Sequence, residues 1–87
     1  MERNPVRNFH SRSVSERAHA VIDLTRKFTE LVQSHPDKIT PRLELDVCSY
    51  IAMAGGELKN AEVSTPDEKM LVEIALDDIE YCRHCML

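Results

Sequence analysis

The chain has 87 residues, a formal charge of −4, 43% hydrophobic residues and 5% aromatic residues, with no Trp. That length predicts a single domain near the lower limit of independent folding, with a core built from aliphatic side chains. Two Gly and four Pro are too few turn formers for a many-stranded sandwich or barrel, which leaves helices.

Residues 1–13 (MERNPVRNFHSRS) show no hydrophobic period and read as a flexible basic N-terminal arm, with Phe9 as its one large anchor. Arg3, Arg7 and Arg12 against Glu2 give this arm a net +2, leaving −6 on the other 74 residues. A body of that sign repels a phosphate backbone and makes direct nucleic-acid binding by the folded part an unfavoured reading. The start of the sequence is polar rather than apolar, and no run approaches the roughly 18 apolar residues of a membrane span. With three cysteines, an odd number, the expectation is a cytoplasmic protein in a reducing compartment.

Residues 14–87 read as one helical domain with helices at about 14–34, 41–58 and 66–86. Ser13-Val14-Ser15-Glu16 has the form of a capping box, and Val14, Ala18, Val21, Thr25, Phe28 and Val32 then recur at steps of three and four. His35-Pro36 should end that helix, because the residue before a proline is pushed out of the helical region. Thr40-Pro41 opens the second helix with an N-cap and a proline at the first position. Leu43, Val47, Ile51, Ala54 and Leu58 form one face of it, and Leu45, Cys48, Ala52 and Gly55 an adjoining one. Gly55-Gly56 either bends the helix or ends it, with the end placed between Gly55 and Asn60. Thr65-Pro66-Asp67-Glu68 starts the third helix, combining N-cap, first-position proline and acids that suit the helix dipole. Leu71, Ala75, Ile79, Cys82 and Met86 make one row along it, and Met70, Ile74 and Tyr81 lie beside that row.

The fold class is therefore all-α, a small three-helix antiparallel bundle. Helices two and three carry more apolar surface than a lone bundle hides, which predicts completion by homodimerisation and contact with another protein. The apolar segment Cys85-Met86-Leu87 adds to that surplus. The residues expected at partner contacts are Leu43, Val47, Ile51, Met70, Ile74, Tyr81, Met86 and Leu87, with Arg3, Arg7 and Arg12 as a basic clamp.

Cys82-Arg83-His84-Cys85 could pair with Cys48 or a histidine to hold a metal, but a structural zinc site ordinarily brings a second such pair. A redox CxxC belongs at a helix start, where the dipole lowers the thiol pKa, and this one sits at a helix end. Small core cysteines are the expected reading. His10, His19, His35 and His84 are dispersed, His19 reads as a surface residue, and no GxSxG or HExxH pattern occurs. No catalytic residue, metal site or cofactor is expected, and the chain reads as a non-enzymatic binding protein.

In size, in its three capped helices beginning near Ser13, Thr40 and Thr65, and in the apolar faces on residues 43–58 and 70–87, the chain resembles small helical bacterial antiactivators of LuxR-type quorum-sensing regulators. That resemblance implies a stoichiometric mechanism in which a helical dimer covers the regulator's dimerisation surface and prevents it from gripping DNA. Secretion-chaperone-like and phage-inhibitor-like binding proteins share the same general character. The reading from a different class is a small DNA-associated dimer that uses the basic arm.

Overall fold

The computed structural model describes residues 13–86. The expected contributions of Arg3, Arg7, Arg12 and Leu87 lie outside the described residues. The architecture is three helices, α1 (Val14–Ser34), α2 (Pro41–Lys59) and α3 (Pro66–Cys85), with a 3-10 turn at Pro36–Lys38 and no strand among the described residues.

Each helix starts where a side chain can replace a missing intrahelical acceptor. Ser13 forms the full capping box, its hydroxyl accepting the Glu16 amide at 3.2 Å while the Glu16 carboxylate accepts from the Ser13 amide. Thr40 accepts the Leu43 amide at 3.1 Å. Thr65 accepts the Glu68 amide at 3.1 Å, but the Glu68 carboxylate returns its bond one residue further back, to the Ser64 amide at 2.9 Å. The box at α3 is thus displaced outward by one position. The proline after His35 stops α1 as expected, and the same proline starts the unforeseen 3-10 turn that redirects the chain into α2.

Side-chain contacts set the directions of the helices. Arg26 Nε donates to Asp78 Oδ2 at 3.0 Å, and seven residues on Gln33 meets Tyr81 and Cys85, so α1 and α3 run parallel. Arg17 meets Glu57 at 3.8 Å, joining the start of α1 to the end of α2. Cys48 lies 3.7 Å from Met86, and Gly55 faces Ile79, so α2 runs against both neighbours. Sequence neighbours are therefore antiparallel, and the first and third helices form the closest-packed pair.

The core is assembled from one row per helix at steps of three and four: Ala18, Val21, Thr25 and Phe28 on α1, Val47, Ile51, Ala54 and Leu58 on α2, and Val72, Ala75, Ile79 and Cys82 on α3. Alanine and cysteine in these rows let the parallel pair approach closely. Thr25, 1% exposed, satisfies its hydroxyl by donating to the Val21 carbonyl at 2.8 Å and the Ile22 carbonyl at 3.1 Å. No buried side-chain nitrogen or oxygen among the described residues lacks a partner.

The body measures 41 × 32 × 16 Å with a radius of gyration of 13.1 Å, against about 12 Å for a compact chain of 87 residues. Its thin dimension is about two helix layers. A slab of this shape leaves the outer side of each helix without a neighbour from the same chain.

Candidate protein-interaction face

The expected contact residues divide into two groups. Val47 and Ile51 are 5% and 1% exposed and belong to the core, which corrects their assignment to a partner surface. The reason is periodic: they lie in the same row as Ala54 and Leu58, and that row is the one α2 turns toward α1 and α3. Leu43 and Met86 are half-buried at the edges of the core, and Ile74 is half-buried on the outer side of α3. Met70 and Tyr81 project from the fold, at 61% and 55% exposure.

Met70, Ile74 and Tyr81 follow one another at four and seven residues. At about 100° per residue they fall within about 40° of one another, on the side of α3 turned away from its Val72–Cys82 row. The offset of 52 residues that sets Arg26 beside Asp78 and Gln33 beside Cys85 also places half-buried Ile22 of α1 beside Ile74. The outer face of the α1–α3 pair is therefore an apolar strip interrupted by polar cross-links. Arg26 and Asp78 bridge it in the middle, and Gln33 donates to the Tyr81 hydroxyl at 3.2 Å toward the C-terminal end. A shallow groove of about 250 Å³ runs between these links, floored by Thr25 and Thr29.

Carboxylates border the strip. Glu73, Asp77 and Glu80 are exposed, and among the described residues none of them, nor Asp67, has an ion-pair partner. Asp78 is occupied by Arg26, and Glu68 by the helix cap. The acidic character noted in the sequence is thus concentrated beside the exposed apolar residues of α3.

Leu45 is a second exposed apolar position, at 63%, on the outer side of α2 and apart from the α3 strip. Further along α2, Ala52, Gly55 and Gly56 line a groove against Leu76, Ile79 and Arg83 of α3. Both glycines lie within α2 at negative φ, so the helix passes through them and ends at Lys59. Sequence reasoning placed Leu45 beside the contact row of α2 without choosing it. It also left Val72 out of the principal α3 row, although Val72 stands three residues before Ala75 in the 3-4-3 pattern that α1 shares.

The three cysteines are free thiols in different surroundings. Cys82 is fully buried, and burial pushes its thiol pKa up. A side-chain hydrogen bond to Thr29 opposes that shift, and Cys85 and Cys48 add to it. It is held as a thiol, the less nucleophilic form. Cys48 contacts Met86, and Cys85 faces Gln33. Among the described residues no three His, Cys, Asp or Glu side chains converge as a metal cage would need. His19 is exposed, as expected of a surface helix residue. No described helix is long and apolar enough to cross a membrane.

Comparison with protein-family models, with curated proteins and with solved structures yields no match.

Proposed function

We propose that the chain is a non-enzymatic regulatory protein that homodimerises in the cytoplasm and binds and inhibits a partner protein. The observation that carries this reading is the outer face of α3, where Met70 and Tyr81 are left largely uncovered by the chain's own packing, with half-buried Ile74 between them. Exposed methionine and tyrosine suit such a role. Methionine adapts to irregular partner surfaces, and tyrosine supplies broad contact area with a polar tip. Leu45, on a different helix, gives a second apolar position, so a dimer contact and a partner contact can occupy separate faces. The likeness in size and helix layout to antiactivators supplies the partner class, a LuxR-type transcription regulator whose dimerisation surface the chain covers.

The test is a gel-shift titration. Added to a LuxR-type regulator already bound to its operator, the chain should abolish retardation at a near-stoichiometric ratio, and light scattering of the chain alone at micromolar concentration should give twice the monomer mass. Undiminished retardation at large excess, together with a monomeric mass, overturns the proposal.

A further inference from the structure

Carboxylates stand on both banks of the outer face shared by α1 and α3. Asp78 and Cys85 turn toward α1, so at about 100° per residue Glu73, Asp77 and Glu80 fall on the far side of the Met70–Tyr81 strip. On the α1 bank, exposed Glu30 lines the groove of about 250 Å³ with Gln33, and Asp78 and Tyr81 line it from α3. Among the described residues Glu30, Glu73, Asp77 and Glu80 have no ion-pair partner, and the groove's own cation, Arg26, is taken up by Asp78. A second copy of this face would bring these carboxylates against their own kind. The occupant is therefore a different surface, one with cations beside its apolar groups. Met70 and Ile74 repeat about one turn apart along the helix axis, and a helix laid along that axis repeats its own side chains at the same interval.

We infer that the partner element seated on this face is an amphipathic helix whose apolar stripe, laid on Met70, Ile74 and Tyr81, is flanked by arginines. An arginine on the α1 side enters the groove, where Glu30 supplies a carboxylate for its planar fork and the Tyr81 ring a surface on which the guanidinium stacks. Arginines on the other side meet Glu73, Asp77 and Glu80. These ion pairs form at an exposed surface, so the contact weakens as salt rises. The inference rests on the reading that this face binds a protein, and not on which regulator that protein is.

The probe is a fluorescent, alanine-based helical peptide of about 20 residues, with leucines at helical intervals along one side and arginines flanking them. Copies with every arginine replaced by glutamine or by lysine serve as comparisons. Anisotropy titrations with the full chain measure affinity, and amide spectra of the isotopically labelled full chain map the contact. The expected result is amide shift changes over residues 22–33 and 70–81, with the glutamine peptide binding roughly ten-fold or more weakly at low salt. Lysine should bind several-fold more weakly than arginine, because an ammonium lacks the planar fork. The variant Glu30→Gln, Glu73→Gln, Asp77→Asn, with an unchanged melting temperature, should erase most of the preference for arginine over glutamine. Equal affinity for the arginine and glutamine peptides overturns the inference, as do shift changes centred on Leu45 or no binding of the arginine peptide at millimolar concentration. Equal affinity for lysine overturns the seating of an arginine in the groove. The measurement needs no regulator, so a failed gel shift beside arginine-dependent peptide binding removes the LuxR-type partner alone, and a successful gel shift without peptide binding removes this inference alone.

Discussion

Replacing both glycines of α2 by alanine should stabilise the protein, although they sit side by side in a packed helix, one turn before its end at Lys59. Neither adopts positive φ, so neither needs the conformational freedom that only glycine has. A methyl group at position 56 would meet nothing within 4 Å, and one at position 55 would lie 3.5 Å from Ile79 Cδ1, an ordinary van der Waals contact. Each Gly→Ala change in a helix interior is worth about 0.8–1 kcal/mol. The pair should therefore contribute about 1.5–2 kcal/mol, and for a domain of this size that raises Tm by on the order of 10 °C. Thermal unfolding followed by far-UV circular dichroism measures it. A fall in Tm for Gly56→Ala would refute the reasoning, because it would mean that α2 bends at these residues or that a neighbouring backbone approaches them in the native assembly.

Ile51→Ala should cost about 2–4 kcal/mol in denaturant unfolding, while Leu45→Ala on the opposite side of the same helix should change stability by less than about 0.5 kcal/mol. Equal effects would contradict the assignment of core and surface on α2. Thr65→Ala should remove the α3 N-cap at a cost of about 1 kcal/mol, read from the unfolding midpoint. Since burial raises the Cys82 thiol pKa, the unfolded chain loses that proton at lower pH than the folded one. Its contribution to stability is complete below the ordinary thiol pKa and is lost as pH rises from there through the raised pKa of the folded state, so Cys82→Ala should flatten the alkaline decline in the unfolding midpoint. In native alkylation Cys85 should react before Cys82, and the opposite order would contradict the burial.

Much of this fold was legible because its helices obey local rules. Ser13, Thr40 and Thr65 announced three helix starts, and all three cap in the structure. The row from Val14 to Val32 and the row from Val47 to Leu58 were readable as stripes because burial follows the helical period. What the pattern could not fix was which of two adjoining apolar rows on a helix faces inward. On α2 the choice fell on the Val47 row, leaving Leu45 outside. On α3 it fell on a row that includes Val72 and excludes Met70. That choice depends on helix directions, and those are set by pairs such as Arg26–Asp78 and Cys48–Met86, which are 52 and 38 residues apart in the chain. Local spacing carries no information about them. The acidic residues of α3 were visible from composition, but their position beside the exposed strip emerges only once the core row is known.

The most direct test of the account is the gel shift repeated with Met70→Glu, Tyr81→Glu. Both side chains are largely exposed, so the variant should melt within a few degrees of the wild type while leaving a LuxR-type regulator bound to its operator. A variant that folds normally and still displaces the regulator as well as the wild type does would contradict the claim that the outer face of α3 is the binding surface.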